Sequence, residues 1–179
     1  MLATAFAKLN RGHNGAKDRI GGLPDHLPAR FPVSPQTGEE LAFLMQLYAD
    51  DRRLPLPGIM AIQVYQIEGD YDPSPIVVSI PHGAELNLAS KGKLKPGLLS
   101  YDITWDEAKE SDDPPQPFSQ ESDLTAKSKA GGRTFFAQAL HPGDRFLAQI
   151  AEGPEGLNFG GYTLIIVIDS GGSIQGRLG

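Results

Sequence analysis

Cysteine is missing from all 179 residues of the chain. Its absence excludes a disulfide framework, a thiolate metal site and a thiol nucleophile. No apolar run approaches the roughly 20 residues that a helix needs to cross a bilayer, so no membrane partner is expected. Met1 to Lys8 lack a basic leader, so a secretory signal is not expected there and a cytoplasmic location is. None of the four histidines, His13, His26, His82 and His141, stands three or four residues from another, so the helical zinc-pair spacing is missing. No metal and no cofactor is expected. Lys91, Lys93 and Lys95 form only a small basic cluster, too little of a stripe for direct nucleic-acid binding. The glycine pairs beginning at 21, 131, 160 and 171 lack both the Gly-x-Gly-x-x-Gly spacing and the Gly-Lys-Ser/Thr ending of phosphate loops, so they are expected at turns or close backbone approaches.

What the chain does have is glycine (21) and proline (15) in abundance, which raises the expected share of turns and lowers that of long helices. An apolar fraction of 40% with 21% charged residues suits a globular protein, and this length suits a single domain, 1–179, with one shared core. Within it one unit is used twice. The first copy, about 20–67, runs Ile20-Gly21-Gly22-Leu23-Pro24, then Phe43-Leu44-Met45-Gln46-Leu47, then Gly58-Ile59-Met60-Ala61-Ile62. The second, about 130–172, runs Ala130-Gly131-Gly132, then Phe146-Leu147-Ala148-Gln149-Ile150, then Gly161-Tyr162-Thr163-Leu164-Ile165. From the glutamine to the glycine that opens the next apolar run is 12 residues in both, whereas the double glycine stands 21 residues before the phenylalanine in one copy and 14 in the other. A length change confined to a Pro-rich loop is what duplication followed by loop drift leaves.

Alternation of apolar residues predicts strands over 58–67, 76–80 and 162–168, the last buried on both faces. The segments 145–150 and, by analogy, 40–48 read as strands, and 99–104 and 134–139 are further candidates. Residues 1–9 read as a short helix with an apolar side, and Thr104-Trp105-Asp106-Glu107 has the order of a helix-capping box, predicting a short helix to about Ser111. Gly171-Gly172 reads as a hairpin turn. The expected fold is mainly β (α+β): duplicated, pseudo-two-fold antiparallel sheet units sharing one core, with few short helices.

Charge is unevenly spread. Between 102 and 123, eight carboxylates face a single lysine, a balance of −7 against −6 for the whole chain, so the rest carries +1. As a connector between the copies this segment reads either as a solvated, mobile tether or as a patch that steers a basic partner. On the second reading Trp105 is an aromatic anchor among Asp106, Glu107, Glu110, Asp112 and Asp113. Gln46 and Gln149 occupy the same place in an apolar strand, where a buried amide must be hydrogen-bonded. Either both bridge to the Gly-Gly loop of their own copy or, with His26, they mark a ligand cleft between the copies. Asp25 beside His26 could hold an imidazole tautomer, but no nucleophile or metal partner accompanies the pair, so no catalytic residue is expected.

The strings Ile20-Gly21-Gly22-Leu23-Pro24 and Leu41-Ala42-Phe43-Leu44-Met45-Gln46-Leu47 resemble the signature of the YwqG-like family, a bacterial family whose members pair a Gly-Gly-x-Pro segment with a Phe-Leu-x-Gln strand. Leu147 to Ile150, followed by Gly156 to Gly161, is similar to that family's C-terminal portion. The first signature also resembles the programmed-cell-death-two-like proteins, which chaperone a ribosomal protein. The matches cover about 20–67 and 129–172. Relatives carry cysteines where this chain has Val33 to Gly38, so a metal-knuckle role does not transfer. The resemblance implies a duplicated β fold, and such families include immunity proteins of bacterial toxin systems. It brings no catalytic residue set. The expected function is therefore non-enzymatic: neutralisation by occlusion of a cognate protein toxin with a basic surface, with chaperoning of a basic client, or a small-ligand site or enzyme between the repeats, as alternatives.

Overall fold

The computed structural model describes residues 2–12, 16–67, 75–110, 127–153 and 157–179. Eleven strands make one sheet: β1 (Leu2–Arg11), β2 (Arg19–Ile20), β3 (Ala42–Tyr48), β4 (Ile59–Gln66), β5 (Ile76–Pro81), β6 (Lys93–Leu94), β7 (Tyr101–Glu110), β8 (Lys129–Gly131), β9 (Arg145–Ile150), β10 (Leu164–Ile168) and β11 (Ile174–Leu178). Among the described residues the only helical element is a 3₁₀ turn, Ala137–Ala139. The order β11-β10-β9-β8-β1-β7-β2-β3-β4-β5 is symmetric about β1·β7, with the short β6 set parallel to β3. The sheet curls until β11 meets β5, nearly closing a barrel. No ladder joins those two strands. Side-chain packing brings them together, helped by Gly176, where a Cβ would stand 2.9 Å from a Val77 methyl.

The leading strands of the two copies are exchanged. β1 pairs with β8 of the second copy, and β7 pairs with β2 of the first. Ala5 faces Ala130, just ahead of one glycine pair, and Tyr101 faces Ile20, just ahead of the other. Ala5 and Tyr101 are thus equivalent, and each lies three residues ahead of the Lys8–Thr104 pair, through which the pseudo-two-fold passes. Both copies contribute to one interior: Leu44, Met45, Ile62 and Val64 from the first meet Leu147, Ala148, Leu164 and Ile166 from the second. The alternate side chains point outward and are covered by the loop of their own copy. Phe43 and Tyr65 lie under Phe31, and Ile165 and Val167 under Phe136 and Leu140. This is why the loop after each double glycine can vary in length while the strands do not.

Several expectations are corrected. Residues 1–9 are not a helix, because Leu2–Arg11 is held as a strand between β7 and β8. The capping-box order at Thr104 starts no helix, since Tyr101–Glu110 pairs along its whole length with β1. The first part of the acidic segment is therefore a central strand and not a connector; 111–123 lies outside the described residues. Thr134–Ala139 forms the 3₁₀ turn and its approach, not a strand. The equal glutamine-to-glycine spacing does not carry into the ladder. Gln46 faces Gln63, five residues past Gly58, and Gln149 faces Ile165, four past Gly161. The strands 40–48, 58–67, 76–80, 145–150 and 162–168 and the hairpin at Gly171-Gly172 agree with the structure.

The last strand is tied down by Arg177, whose guanidinium donates to both oxygens of Asp144 and to Ala139 O. The Arg177 bond first, and then the His141 N–H, hold the Asp144 carboxyl below its ordinary value of 3.8. A lowered folded value means that the ionised form stabilises the fold above the ordinary value and that this contribution fades as pH falls through the folded one. Asp144→Asn is therefore less stable than the wild type at neutral pH. In urea titrations the gap between the two proteins narrows as pH is lowered below about 4.

Candidate functional site

Each copy builds the same hydrogen-bonded frame. Gln46 Nε2 donates to Lys17 O at 2.8 Å, and its Oε1 accepts Asp25 N–H at 3.0 Å. Gln149 Nε2 donates to Lys127 O at 2.8 Å, and its Oε1 accepts Phe135 N–H at 3.3 Å. Each amide thus ties the chain entering its Gly-Gly segment to the chain leaving it, which is the bridging role and not a ligand contact. Next to it, Tyr48 N–H donates to Asp18 Oδ1 as Ala151 N–H donates to Ser128 Oγ. Ile103 N–H donates to Asp18 O as Ala7 N–H donates to Ser128 O. The double glycines match too, with φ of +72° and +74° against +71° and +69°.

The frame needs only a side-chain oxygen where Asp18 and Ser128 stand. Its second copy makes do with Ser128, Phe135, Phe136 and Ala151, but the first has Asp18, Asp25, His26 and Tyr48 at those places. At these four places the titratable side chains stand in the first copy alone. There an open cleft of about 600 Å³ is lined by Arg19, Asp25, His26 and Tyr48 together with Leu86 and Leu88. That volume falls in the usual range of binding pockets.

The cleft is shaped by two segments pinned face to face. Leu27 N–H donates to Glu85 O and Asn87 N–H to Asp25 O, while the Asn87 amide holds Pro24 O. Gln63, opposite Gln46 on β4, donates to His26 O at 2.9 Å and accepts the Tyr65 hydroxyl at 2.8 Å. Arg19, 6% exposed, meets Asp25 Oδ1 at 2.6 Å and also donates to Leu23 O. Asp25 Oδ2 accepts from Gln46 Nε2 and from the Tyr48 hydroxyl, the latter at 3.4 Å. Burial, with the Asp25 carboxylate adding to it, pushes the Tyr48 hydroxyl up to about 12, so it stays a donor at neutral pH. Asp25 is fully engaged without touching the imidazole beside it in sequence. His26 instead has Nδ1 3.2 Å from Ala84 O; a carbonyl only accepts, so Nδ1 carries a proton, and in the neutral tautomer this leaves Nε2 as the acceptor.

Beneath this floor, Asp18 accepts from Arg53 at 2.9 Å and from the Trp105 indole at 2.6 Å, with the Arg53 guanidinium 4.8 Å over the indole ring. Burial pushes the Asp18 carboxyl above its ordinary value, against the pull of the Tyr48 N–H and Arg53. Trp105 is thus a half-buried strut, not a free anchor. Glu110, expected on the same surface, is 5% exposed and bonded to the fully buried Lys129. Asp106 and Glu107 are exposed on β7, with Arg52 3.9 Å from Glu107. Asp112 and Asp113 lie outside the described residues. Of the three residues expected to share a cleft, His26 lines it and Gln46 lies under it. Gln149 belongs to the other copy, four strands away along the sheet. His82 and His141 sit exposed at turns, as the Pro-His-Gly and His-Pro-Gly strings imply.

Arg19, Asp18, Tyr48, Gln63 and the 85–90 segment were not expected at a site. Aligning the copies on their glutamines sets Tyr48 against Ala151, and aligning them on their glycine pairs sets Asp18 against Ser128; Arg19 then falls on the equally basic Lys129, so no mismatch marks it. Leu86 and Leu88 lie beyond the repeat units read from the sequence, so no comparison of the copies points to them. No protein-family model matches the chain, and no curated protein matches it in sequence.

Proposed function

We propose that this chain is a non-enzymatic binding protein that occludes a partner protein, as an immunity protein does its toxin, and that it does so through the first-copy cleft and the leucines at its rim. The observation that carries this reading is the pairing of Leu86 and Leu88, 54% and 88% exposed, with a polar floor whose carboxylate is already satisfied. Apolar side chains held outward beside a concave site are costly to leave in water, and they are the usual core of a docking patch. A polar floor spent on holding its own loop suits a rigid binding surface better than acid–base chemistry. The partner is a toxin with a basic surface. The net charge of −6 and the exposed Asp106 and Glu107 would speed its approach, and the likeness of the Gly-Gly-Leu-Pro and Phe-Leu-Met-Gln strings to the YwqG-like family supports a toxin as the target.

The test is co-expression with the product of the adjacent open reading frame, scored by growth and by binding of the purified pair. The double variant Leu86→Asp/Leu88→Asp, whose side chains are outside the core, keeps the wild-type melting temperature and weakens binding at least about thirtyfold, roughly 2 kcal/mol. Undiminished neutralisation by that variant, or turnover of a substrate by the purified chain alone, would sink the proposal.

A further inference from the structure

We infer that the cleft receives an uncharged aromatic side chain bearing a hydrogen-bond donor, a tyrosine or tryptophan of the partner protein, and not the cation that the chain's acidity suggests. This rests on the occlusion reading and names the group that fills the site.

Charge is the first argument. Arg19 and Asp25, the ion pair lining the cleft, neutralise one another at 2.6 Å, and the second Asp25 oxygen is held by Gln46 and Tyr48. An incoming ammonium or guanidinium would lose its water and find the carboxylate already taken. A carboxylate would find Arg19 taken as well. Either charge is desolvated without a free counter-charge, which is unfavourable. Hydrogen bonding is the second. Ala84 O can only accept, so His26 Nδ1 carries a proton, and in the neutral ring Nε2 is then an acceptor with no partner among the described residues. A donor is what it lacks, and a phenol or indole supplies one on an apolar body. The walls fit that body: Leu23, Pro24, Leu86 and Leu88 are apolar. Width is the third. Leu88 lines the cleft yet is 88% exposed, so a small molecule confined within would leave it in water, while the surface of a macromolecule around an inserted side chain would cover it.

The experiment titrates the isotope-labelled full chain, followed by amide resonances, with three side-chain analogues: p-cresol, toluene and propylguanidinium. The expected result is that p-cresol shifts the resonances of His26, Tyr48, Leu86 and Leu88. Toluene does so about fivefold more weakly for want of the donor. Propylguanidinium leaves those resonances in place. His26→Asn, whose amide can still donate to Ala84 O but cannot replace Nε2, brings p-cresol down to the level of toluene and leaves toluene unchanged, a selective effect that simple loosening of the loop would not give. Preferred binding of propylguanidinium, no response to either aromatic, or a p-cresol preference that survives in His26→Asn each overturns the inference. If p-cresol fails while Leu86→Asp/Leu88→Asp still loses the partner, the aromatic anchor is wrong and the occlusion reading stands.

Discussion

Lys129→Ala lowers the unfolding free energy by about 3–5 kcal/mol, a large part of the 5–15 kcal/mol that a domain typically has. Lys129 has no exposed surface, and its ammonium is bonded to Glu110, itself 5% exposed. Burial pulls the ammonium below its ordinary value, while the Glu110 bond pulls it back up. Removing the lysine takes the ammonium from a carboxylate in a nearly dry place, whose other oxygen accepts the backbone N–H of Arg133 at 3.2 Å. The charge-free pair Lys129→Met/Glu110→Gln should recover most of the loss, because two well-packed neutral groups avoid the desolvation that the ions suffer. Urea titrations of the three proteins check this. A single variant as stable as the wild type would mean that the buried pair is not formed.

Gly21→Ala is the second large effect, about 3 kcal/mol, and it reaches the cleft. The residue has φ of +72°, and a Cβ there would lie 2.5 Å from Leu99 O and 3.0 Å from its carbonyl carbon. Left-handed backbone costs an alanine about 1–2 kcal/mol, and a clash with main chain adds a similar amount because backbone cannot rotate aside as a side-chain tip can. Gly22→Ala is the control. It has the same left-handed backbone, at φ +74°, but the nearest atom to its Cβ position is Arg19 Nε at 4.0 Å, an ordinary contact, so only the first cost of about 1–2 kcal/mol applies. The strand exchange explains why the contact is so close: Ile20 pairs with Tyr101, which brings the chain just ahead of β7 over the glycine. Ser100, next to the clashing Leu99, lines the cleft, so Gly21→Ala should also weaken partner binding; Gly22 lines it too, but its added methyl displaces no main chain, so Gly22→Ala should weaken binding less. Denaturation curves paired with binding measurements on both variants test the two halves of the argument.

The elements that could be read from the chain and those that could not differ in where their stability comes from. β3, β4, β5, β9 and β10 carry dense apolar residues between glycine and proline breakers, so burial alone marks them. β1 and β7 do not. Leu-Ala-Thr-Ala-Phe-Ala-Lys reads as one side of a helix, and Trp-Asp-Glu-Ala-Lys-Glu is mostly polar and mostly exposed; both are strands because each is paired with the other and with a strand of the opposite copy. Pairing partners about 100 residues apart leave no local trace. The candidate site divides the same way. Asp25 and His26 stand out as neighbours, but their roles do not: Asp25 is bound by Arg19, Gln46 and Tyr48, and His26 by Ala84. Leu88 looks in sequence like any core leucine and is among the most exposed residues of the fold.

By itself, then, the sequence determined a duplicated, mainly β chain without cysteine chemistry, and it placed a bridging glutamine in each copy, because composition, breakers and periodicity act over a few residues. Only the tertiary structure decided that the leading strands change places, that the acidic run up to Glu110 is sheet, and that Arg19, Asp25, His26 and Tyr48 gather round one cleft. Those facts depend on which distant backbone groups satisfy one another, and a buried hydrogen bond or ion pair forms only where the whole fold brings its partners together.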